Sequence, residues 1–197
     1  LVFQIMEITS NIIVCVNLLD EAKKKGIAID LKKLAILLGV PVVGTIGKKK
    51  KTLVNLKNEI TNVCSGKISP IPKIIKYIPI IEDSIALLSS EIDIPFPLSR
   101  WISLKLICNN ERLLSSISNN FQVNLITPNI NTKLDEISCL LARNDINTSN
   151  IENFLLTSIL KQCENITNAV CTYKEVNYTK RTIKIDKILT SKYLGFP

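Results

Sequence analysis

Residues 12–20 read IIVCVNLLD, and the fold turns on how they are taken. Ile12 to Val16 is a β-branched run with one cysteine in it. Such a run, apolar on both faces, is the pattern of a buried parallel strand. Directly after it comes Asn17-x-x-Asp20, a spacing found once in the chain. In open α/β sheets ligands bind in the crevice at the carboxyl ends of the strands, so a polar pair there is well placed for one. A carboxylate at Asp20 can accept from the N1–H and the exocyclic amine of guanine, a donor pair that adenine lacks. The Asn17 amide can tie neighbouring loops together. A second reading fits the same residues: Asn17 makes a turn and Asp20 caps the next helix, roles both residue types favour.

Downstream, EAKKKG at 21–26 reads as a short helix ended by Gly26. Asp30 is a suitable N-cap for LKKLAILL, and Gly39 stops that helix. Val40 to Val43 reads as a second buried strand, and Thr45 to Lys51 as a loop opening on the same edge as Asn17. Leu53, Leu56, Ile60 and Val63 recur at helical spacing. Strand–helix–strand–helix is half of a doubly wound sheet. SGKISPIP at 65–72 is a linker. Beyond it the apolar residues keep helical spacing: Ile74 to Leu88, then Leu98 to Cys108 after Pro95 and Pro97, then LLSSI at 113–117, then Leu134 to Leu141, then Ile151 toward Cys171. No strand is expected there. Arg181 to Leu194 reads as a basic amphipathic helix. The fold class is therefore α/β followed by all-α, a partial doubly wound sheet plus a helical bundle.

Composition narrows the chemistry. The chain has 197 residues, a formal charge of +8, six cysteines, one tryptophan and no histidine. Without histidine there is no Ser–His–Asp or Cys–His nucleophile and no His-ligated zinc. No two cysteines are spaced C-x-x-C, and a reduced, cytosolic chain is the expectation. There are 32 Ile and 19 Asn, and Lys outnumbers Arg 21 to 4, a bias of AT-rich codons that weakens any argument from lysine runs alone. The charge is uneven: +6 over residues 1–72, −2 over 73–172 and +4 over 173–197. Lys48 to Lys51 invite a phosphate or nucleic-acid reading; the preferred reading is a solvated loop, and the acidic middle argues against nucleic acid. Glu82-Asp83 and Asp135-Glu136 are read as solvated helix faces, and Trp101 with the isoleucine stripes as core. No G-x-x-x-x-G-K-[ST] cradle for a triphosphate occurs in these residues. The first residues have no basic n-region, so they are not read as a signal peptide. Position 1 is Leu, so the chain is expected to be part of a longer one.

IIVCVNLLDEAKKKGIAIDLKKLAILLGVPVVGT at 12–45 resembles the carboxyl-terminal half of the GTP-binding domain of the ferrous iron transport protein B family. RWISLKLICNNE at 100–111 resembles that family's helical spacer, and RTIKIDKILTSKYLGFP at 181–197 its juxtamembrane stretch. The resemblance implies a partial P-loop-GTPase-like sheet, with a guanine-nucleotide part at 1–66, a helical spacer at 67–178 and a basic juxtamembrane helix at 179–197. It implies guanine binding by Asn17, Leu18 and Asp20. The family's final guanine motif, a Ser/Thr-Ala pair, falls on Ile46 and Gly47, where the Gly47 N–H remains as donor. It implies GTP or GDP as ligand, Mg²⁺ held with an upstream part of the domain, and Fe²⁺ as transported ion not bound here. Implied partners are the membrane domain and amino-terminal half of the same protein and an anionic membrane surface, where each Lys or Arg contributes about 1 kcal/mol; the segment would lie at the cytoplasmic face of the membrane. No catalytic or metal-ligating residue is expected, and hydrolysis by these residues alone is not expected. The alternative function is a non-enzymatic module, derived from a degenerate G domain, that binds a partner or a membrane surface.

Overall fold

The computed structural model describes residues 1–121, 124–125 and 127–174. Its contacts divide the chain into two units. One holds Leu1–Ile12 with Pro70–Asn165; the other holds Ile13–Ser69 with residues from 166 onward. The short helix α1 (Val2–Met6) therefore belongs to the helical unit, and the described residues after Asn165 belong to the sheet unit.

In the sheet unit, β1 (Val14–Val16) pairs in parallel with β3 (Val42–Gly44), with Val14 opposite Val42 and Val16 opposite Gly44. Both strands are shorter than the apolar runs that predict them. β1 is half-buried rather than buried, with Cys15 exposed, because among the described residues it has one neighbouring strand. Between them lie α2 (Leu19–Lys24), β2 (Ile27–Ile29) and α3 (Leu31–Leu38). The start of α3 follows its cap: the Asp30 carboxylate accepts from Lys33 N at 3.0 Å. It ends where Gly39 takes a left-handed φ of 72°. After β3 comes α4 (Lys50–Cys64), which begins inside the expected loop.

β2 was not expected, since three residues are too few to show a period. It pairs antiparallel with β4 (Cys171–Tyr173), Ile27 opposite Tyr173 and Ile29 opposite Cys171. This strand corrects the expectation that the second half holds none; its pairing is with a segment more than a hundred residues earlier, which no local pattern reveals.

The helical unit contains α5 (Pro79–Ser89), α6 (Leu98–Ile107), α7 (Glu111–Phe121), α8 (Pro128–Ala142) and α9 (Ile151–Val170), the last of which ends in the sheet unit. α5 packs on α6 and α8. It starts later than the stripe from Ile74 suggests, because Pro79 disfavours helical geometry at Ile78, which is extended at ψ 149°. Met6, Ile81, Ile85, Leu88, Ile102 and Ile137 form the core. Ser84, Ser99 and Ser103 are buried at the α5–α6 contact, and the Ser84 and Ser103 hydroxyls donate to the carbonyls of Ile80 and Ser99, four residues back.

An ion network crosses this unit. Arg100 donates twice to Glu82, at 2.6 and 2.7 Å, and once to the Ile75 carbonyl at 2.9 Å. Glu82 is thus a paired, part-buried carboxylate and not the solvated face expected of it, whereas Asp83 beside it is exposed. Burial pushes the Glu82 pKa up, and the Arg100 guanidinium with the Tyr77 N–H outweighs it, leaving the pKa lowered. The Tyr77 hydroxyl donates to buried Glu7 at 2.9 Å. Burial dominates at Glu7 and holds its carboxyl above the usual range. Trp101 is half-buried under the Lys105 ammonium rather than a core residue. The tail at 181–194 lies outside the described residues.

Candidate functional site

Parallel pairing brings the carboxyl ends of β1 and β3 side by side, and the chain that follows each is cross-bonded. Thr45 N–H donates to the Val16 carbonyl at 2.8 Å, and Leu19 N–H donates to the Thr45 carbonyl at 3.3 Å. The Thr45 hydroxyl donates to Asn17 Oδ1 at 3.0 Å and lies 3.3 Å from Cys15 Sγ. Thr45 is 2 % exposed. Asn17 therefore bonds across to the other strand end, not within a local turn.

Leu18 follows in the left-handed region, φ 59° and ψ 36°, at the N-cap of α2 and without a side-chain cap bond. That conformation costs a residue with a Cβ about 1–2 kcal/mol, and strain of this kind clusters at binding sites. It turns the chain so that Asp20 enters the first turn of α2, where the helix dipole favours a carboxylate. Asp20 is thus not the cap of the next helix. Its Oδ1 is buried and has no hydrogen-bond partner among the described residues. A buried carboxylate oxygen left unpaired costs free energy unless a donor reaches it.

Gly44 fits beneath this turn. A Cβ there would come within 2.4 Å of Leu19 Cδ1 and 2.6 Å of Leu31 Cδ1. Beyond Thr45, the Ile46 N–H is taken by the Thr52 hydroxyl at 3.1 Å. Gly47 is exposed, has no hydrogen bond to its N–H among the described residues and has open space around its Cα. Lys48 to Lys51 are all exposed. The structure thus gathers Asn17, Leu18, Asp20, Ile46 and Gly47 around one strand edge. Sequence reasoning missed Thr45, Gly44 and Thr52 as the residues that hold them; a threonine directly after a predicted strand end was the one available signal. Among the described residues no group of three His, Cys, Asp or Glu side chains is placed to hold a metal ion. All six cysteines are free, and no described helix is long and apolar enough to cross a membrane.

A family model described as ferrous iron transport protein B matches residues 1–60. The Fe(2+) transporter FeoB of Staphylococcus aureus strain COL is 26% identical over 201 residues, which take in all of this chain and 28% of that protein. That relative and the family model point to the same family, which the model matches over residues 1–60. A fusion of Fe(2+) transport protein A with FeoB from Porphyromonas gingivalis is 27% identical over 207 residues, all of this chain and 24% of that protein. The chain spans about a quarter of the length of these relatives. Among solved structures, a GDP-bound mutant of the S. thermophilus FeoB G-domain superposes with a TM-score of 0.66 at 18% identity, over 87% of this chain and 63% of that one. The cytosolic domain of the T. maritima FeoB iron transporter in a GDP form gives 0.61 at 20% identity, over 87% and 61%. These establish the fold: a partial P-loop-GTPase-like sheet with a helical bundle.

Proposed function

We propose that the β1–β3 edge is the base-recognition part of a guanine-nucleotide site in a GTP-dependent ferrous iron transporter. The observation that carries this is the buried, unpaired Asp20 Oδ1 directly after the left-handed Leu18, beside an Asn17 held by Thr45. In this reading the Asp20 carboxylate accepts from guanine N1–H and N2–H. Asn17 keeps the two strand ends in register, the exposed Leu18 lies along the base, and the Gly47 N–H is a donor to the base edge, with Ile46 fixed behind it. GTP or GDP is the ligand. The 197 residues contain no phosphate-binding loop, so the phosphates and Mg²⁺ fall to residues outside them. Fe²⁺ is the cargo of the transporter in this reading, not a ligand of the β1–β3 edge.

The proposed division of labour is a guanine-nucleotide part within 1–66, a helical spacer within 67–178 and a basic juxtamembrane segment at 179–197, except that α1 goes with the spacer and β4 with the nucleotide part, as their contacts divide. The spacer and the basic segment, with net charge +4 over 173–197, join the nucleotide part to a membrane domain at the cytoplasmic face.

The test is Asp20→Asn with guanosine and xanthosine diphosphates titrated against both forms. Xanthine carries a carbonyl where guanine has its amine, so the amide matches it. Losing charge-assisted bonds of about 1.5–3 kcal/mol lowers guanosine affinity roughly tenfold to a hundredfold, while xanthosine affinity rises. Unchanged guanosine affinity in D20N overturns the assignment.

A further inference from the structure

The unpredicted β2–β4 pair lies on the chain path that leads from the candidate site to the last described residue. Two hydrogen bonds frame it: Asp30 N–H to the Val170 carbonyl at 2.9 Å, and Lys174 N–H to the Gly26 carbonyl at 2.8 Å. Bonded and non-bonded pairs alternate in an antiparallel ladder. Ala28 and Thr172 are therefore the central bonded pair, and Ile29 and Cys171 face each other across a non-bonded position.

From this pair two short routes reach the β1–β3 edge. Along the chain, β2 is joined to Asp20 by α2, six residues long, and the turn at Gly26. Through packing, Asp30 both bonds β4 and caps α3; the next residue, Leu31, lies against Gly44, as Leu19 does from α2. Gly44 directly precedes Thr45, which holds Asn17. A displacement of β4 thus pulls on Leu31 and α2 together, and both press on the residue that sets Thr45.

We propose that β4 is a latch: its pairing with β2 fixes the geometry of Asn17–Asp20 and Thr45, so the β4 segment and the candidate guanine site report on one another. The coupling needs no part between the two units, because every residue in it belongs to the sheet unit. It rests on the guanine reading only for the identity of what binds at the far end.

Amide exchange on the full 197-residue chain tests it. The reporters are Leu19 N–H and Thr45 N–H, which are bonded at the site and remote from the substitutions. In I29C the new thiol faces the native Cys171 at a spacing, about 4.5 Å between Cα atoms, that a disulfide spans. Oxidised I29C is expected to slow exchange at Leu19 and Thr45 at least fivefold relative to its reduced form, and I29C/C171S to show no such change. T172P, which removes the central N–H, is expected to speed both at least tenfold while the Val14 N–H bond to Pro41 persists; should T172P not fold, the oxidised and reduced pair carries the test alone. Site exchange that is unchanged while Asp30 and Lys174 respond overturns the latch. A GDP arm separates the two ideas. Protection of Asp30 and Lys174 by GDP supports both; a redox effect on the site with no GDP effect anywhere keeps the latch and overturns the guanine reading.

Discussion

Thr45→Val probes the staple that holds the two strand ends together. The substitution keeps the volume and both backbone bonds of residue 45, to Val16 and from Leu19, and deletes only the hydroxyl. That hydroxyl donates to Asn17 Oδ1 at 3.0 Å from a site 2 % exposed. A net hydrogen bond contributes about 0.5–1.5 kcal/mol, and part of the desolvation of the Asn17 oxygen adds to it. The working value is about 1–2 kcal/mol, a five- to thirtyfold rise in local opening. Trp101 is the only tryptophan and sits in the helical unit, so its fluorescence does not follow this event. The assay is exchange at Leu19 N–H, whose acceptor is the Thr45 carbonyl. Combining T45V with Asn17→Ala closes a double-mutant cycle, and directly bonded residues couple by about 0.5 kcal/mol or more. Exchange within twofold of the wild type, or strict additivity in the cycle, refutes the staple.

Other outcomes follow from single contacts. Gly44→Ala displaces Leu19 and Leu31 and is expected to lower the stability of the sheet unit by about 1–3 kcal/mol in a denaturant titration followed by exchange; a neutral result means the two leucines repack freely. Gly47→Ala meets open space and a backbone open to any residue, so it should be neutral or stabilising by about 0.4–1 kcal/mol, again read by exchange. Asp30→Ala removes the α3 cap and is expected to cost about 0.5–2 kcal/mol, seen in helical ellipticity on urea titration. Glu7→Gln tests the buried carboxyl. Its folded pKa is raised, so its stabilising contribution is whole below the ordinary value of 4.5 and is lost as pH climbs through the raised one. E7Q should therefore gain on the wild type as pH rises above 4.5, by Trp101-monitored urea unfolding. Glu82, with a lowered pKa, works in the opposite sense and is common to both proteins.

What the sequence made legible was local. Asp30 and Gly39 bracket α3 because a cap and a left-handed stop are written in single residues. The parallel β1–β3 pair was readable from two apolar runs, although both strands are short and β1 is only half-buried. The β2–β4 pair was not readable: its partners are three residues each and about 145 positions apart, a distance across which no periodicity operates. Asn17 and Asp20 stood out by their place at a strand end. Thr45 did not, because its part lies in one hydroxyl aimed across the strands. Glu82 was misread as solvated since its partner, Arg100, is on the next helix. α1 shows the same limit in another form: it falls inside the residues matched by the family model, yet its contacts are with the helical unit.

The loop after β3 has one further consequence. The Thr52 hydroxyl accepts from Ile46 N–H and lies 2.7 Å from the Lys49 carbonyl and 3.1 Å from that of Ile46, so both ends of the loop are tied to a side chain on α4. The path of residues 46–49 is specified by a residue outside them. Lysines 48–51 are exposed, and the Thr52 bonds go to main-chain groups, so replacing the lysine side chains should leave the backbone that carries Gly47 in place. The charge of the loop and its shape are thus set by different groups: the lysine side chains carry the one, and Thr52 with the Lys49 N–H bond to the Ile46 carbonyl holds the other.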